Sequence, residues 1–538
     1  MGFGIYANSL GGAFIWDDEY QVHRNTLIRD WSNSPRFFTG RLREGGGTEG
    51  SKFYRPIQTL SYAWDYRWWK ENPRGYHLTN ILLHLLVAWA VYALARTLTA
   101  DHQLAFLSAV FFVVHPIHTE AVAYISGRAD ILAAFFSLTA FISYIRYLNG
   151  RRASSFLFFC LNNALALLSK ESSLVFPALL LFYHGTRQKK APLRGFYISL
   201  LITGAYLAVR FAALGPVLPN GFVDSWTERI PGTFAAFTAY LRLLFAPFNL
   251  HMEYGMSRFE ALDPRVFCGA GIFAAACWSA FIWRKKYPLV FFCAGWFFLW
   301  LIPVLGLFRL NAWMAEHWLY LPSVGFFILL AKIFTEGCRN RKWRVATILC
   351  AAALMAWWAA LTVRQNGTWR DPVSFFKRTI RFSGSGRLFY KLGMAYEKEG
   401  RFEEAAVNYR KAIETWPGLM ESYSALGVLY KNAGRFEDAV QVFEKALRVA
   451  PHAGILNNLA NTYHQMGETG KAIECYRRAV AIDGRNADCH FNLANEYLKA
   501  GRTREAVPEY LAALEISPED REIQRNLAFA RKKALAEK

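Results

Sequence analysis

The sequence predicts an all-α chain in two parts: a polytopic membrane helical bundle over residues 1–380, and a solenoid of paired helices over 386–538. Three observations predict it. Apolar runs crowd the first part, a period of about 34 residues takes over from Gly386, and the net positive charge lies almost wholly in the first part. With 54% hydrophobic and 16% aromatic residues, the 538-residue chain is too apolar for an ordinary soluble enzyme. Residues 384–538 hold 23 Lys/Arg against 21 Asp/Glu, so almost all of the formal +21 lies before them. It sits in short loops between apolar runs, where orientation in a bilayer accounts for it and nucleic-acid binding does not.

Ten runs have the composition of membrane helices, some of them short: 77–98, 104–115, 131–148, 154–168, 174–183, 195–214, 265–283, 289–308, 319–334 and 345–363. One set of intervening loops carries Arg146/Arg151/Arg152, Arg187/Lys189/Lys190/Arg194, Arg284/Lys285/Lys286 and Arg339/Arg341/Lys342/Arg344, and reads as cytoplasmic. The other set faces away and carries acids and histidines: Asp17–Asp18–Glu19, His115 to Glu120, Arg128–Ala129–Asp130, Lys170–Glu171 and Glu316–His317. Ten crossings that finish outward place the repeats outside too. Residues 1–15 are too short and polar for a span, so a first helix is expected to be missing. The eight cysteines show no metal-finger spacing, and most fall in or beside apolar runs as small hydrophobes.

From Gly386, Leu392, Leu426, Leu459 and Leu493 recur at 33–34 residues. Gly400, Gly434, Gly467 and Gly501 keep the same step, as do Ala405, Ala439, Ala472 and Ala506, and Tyr409, Phe443, Tyr476 and Tyr510. Small residues let two helices approach, the aromatic fills the gap, and a closing Pro or Gly ends each unit. This is the tetratricopeptide (TPR) pattern, four repeats long, with 519–536 as a polar capping helix.

Asp17, Asp18 and Glu19 read either as an exposed acidic turn or as the source of a general base. In sugar transfer from a lipid phosphate, one carboxylate removes the acceptor hydroxyl's proton while cations stabilise the departing phosphate, so Asp17 or Asp18 is the candidate base. Arg55 opens an aromatic stretch to Trp69 expected to lie in the headgroup layer, as an interface anchor or a phosphate ligand. His77, Asn80 and His84 share one helix face and read as helix glue. His115, His118 and Glu120 match no established metal-ligand spacing and read as polar lining, with a metal site as the alternative. Arg128/Asp130 and Lys170/Glu171 are near-neighbour opposite charges, either functional or locking helices together. Gly45–Gly47 reads as a hinge.

Asn8–Ser9–Leu10 with Trp16–Asp17–Asp18, Tyr54–Arg55–Pro56, Gly75–Tyr76–His77, His115–Pro116 with His118–Thr119–Glu120, Gly127–Arg128–Ala129–Asp130, Ser169–Lys170–Glu171 and Glu316 to Pro322 form an ordered series. The series resembles the transmembrane-and-TPR family of O-mannosyltransferases, which have the GT-C glycosyltransferase fold. The resemblance implies transfer of a sugar, mannose, from a polyprenyl- or dolichyl-phosphate carrier to Ser or Thr of an acceptor protein on the non-cytoplasmic face. It implies that Asp17 and Asp18 are the catalytic acidic pair. It also implies that Arg55, His115, His118, Glu120, Arg128, Asp130, Lys170, Glu171, Glu316 and His317 surround the donor phosphate. The partners expected are the lipid-linked sugar, membrane lipid, and an acceptor or partner protein in the TPR groove, with no nucleic acid. No cofactor is assigned and a divalent cation stays open. The setting expected is a bacterial inner membrane with a periplasmic site, or the endoplasmic reticulum with a lumenal one. A missing first helix would remove the anchor of the Asp17–Asp18 loop. The rival readings are a non-catalytic membrane scaffold and an oligosaccharide ligase or glycan polymerase.

Overall fold

The computed structural model describes residues 1–42, 44–46, 53–187, 192–215, 226–255, 259–260, 262–305 and 312–537. Gly47, Lys189, Lys190 and the last residues of the 289–308 run lie outside the described residues. The described residues hold helices and no strand. Their contacts divide them into Met1–Phe382 and Ser383–Lys538.

In the first unit, α1 (Gly2–Tyr6) and α2 (Pro56–Trp69) precede α3 (Pro73–Thr99) and α4 (His102–Val114). Then come the short α5 (Thr119–Ala123), α6 (Arg128–Gly150), α7 (Ala153–Ser169), α8 (Phe176–Arg187) and α9 (Arg194–Leu214). The unit closes with α10 (Trp226–Phe245), α11 (Pro264–Trp283), α12 (Pro288–Leu301), α13 (Ser323–Arg339), α14 (Arg344–Asn366) and α15 (Pro372–Ile380). Local chemistry sets the ends. Prolines open α2, α3, α11, α12 and α15, where the missing N–H costs nothing. Asn72, Asp101, Asp263 and Asp371 accept first-turn N–H groups as caps.

Each of the ten apolar runs is helical over most of its described residues, with breaks at His115, Leu305 and residues 320–322, but fewer than ten helices are long enough to cross a bilayer alone. Five described helices pass on length and composition, or six if α4 and the segment Pro116–Ala123, bent by 55° at their junction, count as one span. The others include α7, α8 and α12, of 17, 12 and 14 residues. At about 1.5 Å per residue these fall short of a hydrocarbon core about 30 Å thick, because polar segments interrupt them at one end. Burial sorts the spans. α3 and α6 are half-buried or more and hold a shared core with α4, α8, α12 and α13, whereas α9, α11 and α14 leave most of their apolar surface facing outward.

Helix α10 was not among the ten runs, because Glu228, Arg229, Pro231 and Arg242 break its apolar pattern. It packs along part of α11, where Phe234 and Phe237 meet Phe273, and its hydrogen bonds go to the ends of other helices and the loops beside them. The Leu244 carbonyl accepts from His115, the Tyr240 hydroxyl accepts from the Ala315 N–H, and Thr233 and Thr238 donate to the carbonyls of Leu305 and Arg265. It therefore lies across one end of the bundle. The described basic loops sit at the other end, where Arg339 reaches Asp101 in the α3–α4 turn at 2.6 Å.

The second unit stacks four helix pairs and a ninth helix: α16 (Gly386–Lys398) with α17 (Phe402–Thr415), α18 (Met420–Asn432) with α19 (Phe436–Val449), α20 (Ala453–Gln465) with α21 (Thr469–Ile482), α22 (Ala487–Lys499) with α23 (Thr503–Ile516), then α24 (Arg521–Ala536). The recurring aromatic explains the recurring glycine: a Cβ at Gly427 would stand 2.3 Å from the Phe443 ring, and one at Gly393 2.5 Å from Tyr409. Gly400, Gly434, Gly467 and Gly501 turn each pair through φ of +73 to +80°, the left-handed region that favours glycine.

Candidate active site

The acid- and histidine-bearing segments converge at the end of the bundle crossed by α10, and the two adjacent aspartates part company there. Trp16 adopts φ +57°, an uncommon conformation for a bulky residue, and its ring is held against Phe375 and Phe376. Asp18 turns inward at 1% exposure. Its Oδ1 accepts from the Ser126 N–H at 2.8 Å and the Ser126 hydroxyl at 2.6 Å, and its Oδ2 accepts from the Ile15 N–H at 3.1 Å. Burial pushes the Asp18 carboxyl up to about 7, against the pull of these three donors. Asp17 is only half-buried, and its N–H donates to the Tyr124 hydroxyl at 3.2 Å. The loop expected to lose its anchor is thus pinned by Asp18. It is held again where the Ala13 N–H meets the Arg370 carbonyl, and Asn366 and Asn8 tie the preceding turn to α14.

The charged pairs exchange partners relative to the sequence. Lys170 pairs with Asp130 at 2.6 Å, Arg55 grips Glu171 with two N–H groups at 2.9 and 2.5 Å, and Arg128 pairs with Asp65 at 2.6 Å. Residues one or two apart in a helical segment point in different directions, so Arg128/Asp130 and Lys170/Glu171 do not face each other. Burial alone would raise Glu171, but the Arg55 charge and its N–H groups hold the carboxyl at about 2. Arg128 has no exposed surface; it also donates to Asn80 Oδ1 and the Tyr76 carbonyl and lies over the Tyr62 ring. That is an architectural position, not one open to a donor phosphate.

His115 and His118 are likewise interior, with both nitrogens of each ring in hydrogen-bond contact with protein groups. His115 Nδ1 accepts from the Ile117 N–H, so its Nε2 proton goes to the Leu244 carbonyl. His118 Nδ1 lies 2.7 Å from the Phe112 carbonyl and its Nε2 3.1 Å from the Ser323 hydroxyl. Glu120 accepts from both the N–H and the Nδ1–H of His317. Among the described residues no three His, Cys, Asp or Glu side chains gather as metal ligands. His77, Asn80 and His84 face protein as expected; Asn80 donates toward the carbonyls of Val122, Tyr124 and Ile125, and His84 meets the Tyr320 hydroxyl.

Glu316 is buried, and its Oε1 accepts from the His251 N–H at 2.5 Å and the Tyr254 hydroxyl at 2.6 Å. Burial and the neighbouring Glu120 both push its carboxyl well above the usual range. Sequence reasoning missed Asp65, Tyr124, His251 and Tyr254. Asp65 had a signal, a lone acid among five aromatic residues between Tyr62 and Trp69.

Fold and site together define a helical membrane unit whose polar side chains gather at one end, joined in sequence to a TPR array. Residues 60–214 match the model of the dolichyl-phosphate-mannose-protein mannosyltransferases, and 385–452, 460–501 and 487–520 match tetratricopeptide-repeat models. The chain is 26% identical to protein O-mannosyl-transferase F38B6.6 of Caenorhabditis elegans over 77% of its own length and 61% of the relative's. To the human protein O-mannosyl-transferases TMTC1 and TMTC4 it is 28% and 26% identical, over 77% and 75% of this chain and 54% and 64% of theirs. It spans about three-fifths of the length of the curated relatives it matches. The similarity carried by the short motifs therefore extends across most of the chain, which joins a segment matching the mannosyltransferase model to TPR repeats and is similar to the TMTC proteins.

Proposed function

We propose that the membrane unit transfers a sugar, mannose, from a polyprenyl- or dolichyl-phosphate carrier to a Ser or Thr hydroxyl of an acceptor protein, at the bundle end crossed by α10. The observation that carries this reading is the division of labour at Asp17–Asp18: one carboxylate fixed in place, its neighbour held half-open beside Tyr124. The matched mannosyltransferase segment and the names of the relatives support the sugar and the acceptor class. Asp17 takes the proton of the acceptor hydroxyl as its oxygen bonds to the anomeric carbon, and the bond to the phosphate oxygen breaks with its electron pair leaving on the phosphate. The active face is the one opposite the basic loops, periplasmic in a bacterium or lumenal in an endoplasmic reticulum. The TPR groove presents the acceptor or a partner protein.

The test is transfer of radiolabelled mannose from polyprenyl-phosphate-mannose to a Ser/Thr-rich peptide by the full chain in proteoliposomes. Asp17→Asn abolishes transfer with wild-type resistance to unfolding; Asp18→Asn also loosens the fold, because an amide nitrogen at the Oδ2 position cannot accept from Ile15. Full transfer by Asp17→Asn would remove that residue from the mechanism, and no transfer by the wild-type chain from a panel of lipid-phosphate sugars would favour the scaffold reading.

A further inference from the structure

The repeats carry a feature that their packing pattern does not require. Asparagine is a poor helix former, yet it fills three of the thirteen positions of α20, two of α22 and one of α24, all in helix interiors. Asn458, Asn492 and Asn526 recur at 34 residues, as do Asn461 and Asn495. Asn458 Nδ2 donates to the Ser424 hydroxyl at 2.8 Å, Asn492 Nδ2 to Asn457 Oδ1 at 3.4 Å and Asn526 Nδ2 to Asn495 Oδ1 at 3.3 Å. Each bond joins the first helix of one unit to the first helix of the unit before. Helices that touch one another along a curved stack line its inner face, and all six asparagines are half-buried on it.

The bonds leave donors over. Tyr476 and Tyr510, on the second helices, donate to Asn461 Oδ1 and Asn495 Oδ1, and Asn457 Oδ1 is taken by Asn492. The Nδ2 groups of Asn457, Asn461 and Asn495 donate to no protein group among the described residues, and none is sealed from the surface. Asn526 has a second amide proton to offer on α24. Donors on successive helices call for carbonyl oxygens at the helix spacing, about 8–10 Å. A polyproline-II chain supplies them: it turns once in three residues, rises about 9 Å in doing so, and has no internal hydrogen bonds to give up. Every third carbonyl then faces the same row. A β-strand covers a similar distance, but residues three apart face opposite sides. Proline suits such a row, because the N–H it lacks is not needed. Aromatic rings that can take proline rings stand beside the amides: Phe491 lies one helical turn before Asn495, and Phe529, 62% exposed, one turn after Asn526.

We propose that the inner face of the repeat array binds an extended, proline-bearing peptide in the polyproline-II conformation, its main-chain carbonyls accepting from the asparagine row of α20, α22 and α24. This occupant rests on the reading above that the array takes a protein segment, and gives that segment its chemistry. Fluorescence anisotropy follows a labelled, repeating Ala-Pro-Pro peptide of about twelve residues, roughly 37 Å long in this conformation, titrated with the full chain in detergent. A repeating Ala-Gly-Gly peptide of equal length is the comparison. Neither carries a hydroxyl, so sugar transfer plays no part. Saturable binding of the proline peptide is expected, about tenfold tighter than that of the glycine peptide, whose flexibility is lost on binding. Asn461→Asp/Asn495→Asp keeps an oxygen for each Tyr hydroxyl but exchanges the free donor for a carboxylate, and weakens binding about tenfold or more. The single change Asn461→Asp acts in the same direction, and Gln441→Ala, exposed on the second helix α19, leaves binding unchanged. Wild-type affinity in both aspartate variants, each folded by circular dichroism, would overturn the proposal. Equal binding of the glycine peptide removes the polyproline-II occupant and keeps the array as a peptide site; binding of neither peptide removes both.

Discussion

Arg128 looks from the sequence like a donor-phosphate ligand, but its surroundings make it a structural cation, and the two roles predict opposite behaviour on substitution. In Arg128→Met, Asp65 is left as a carboxylate at 2% exposure with the Thr79 hydroxyl as its hydrogen-bond donor, while Asn80 Oδ1 and the Tyr76 carbonyl each lose an N–H. Removing one partner of a buried pair costs about 3–5 kcal/mol, mostly from the charge left behind. Asp65→Leu together with Arg128→Met removes both charges, and should recover all but the about 1–2 kcal/mol due to the unpaired Asn80 and Tyr76 acceptors. The double variant is therefore more stable than Arg128→Met alone, by about 2–3 kcal/mol, and the cycle is non-additive. The assay is equilibrium unfolding of the full chain in mixed micelles of increasing SDS, followed by tryptophan fluorescence, for the wild type, both single variants and the double. Additive losses would refute the reasoning. So would an Arg128→Met chain that unfolds like wild type but binds lipid phosphate more weakly.

Two more predictions follow from the same contacts. The Glu171 carboxyl lies at about 2 against an ordinary value of 4.5, so the Arg55 pair contributes stability that is present above about pH 4.5 and lost as pH falls toward 2; Glu171→Gln flattens that acid limb in a near-ultraviolet circular dichroism titration. In the repeats, Gly427→Val drives a methyl into the buried Phe443 ring and destabilises by about 2 kcal/mol or more, whereas Gly470→Ala, with no atom within 4 Å of the new Cβ, is neutral or slightly stabilising; thermal unfolding of the full chain compares them.

The repeats were the most legible part of the sequence, because each unit is local: Gly427 must meet Phe443 sixteen residues on, and a period of 33–34 residues repeats that requirement. Membrane helices are legible for a similar reason, since hydrocarbon imposes one composition along a whole run. Length was less legible, because α7, α8 and α12 stop where polar segments enter, and α10 hid its helix behind Pro231 and nearby charges.

By itself the sequence determined the two-part all-α organisation, the repeats, and which residue types bear the charge at each end of the bundle. Only the tertiary structure decided which charge meets which. Lys170 reaches Asp130 across 40 residues, Arg55 reaches Glu171 across 116, and Arg128 reaches back to Asp65. It also decided that Asp18 is locked while Asp17 stays half-open, and that His115 and His118 belong to the interior. The physical reason is that a side chain's partner in a packed bundle is set by helix rotation and depth, and neither is recorded in the spacing along one chain segment.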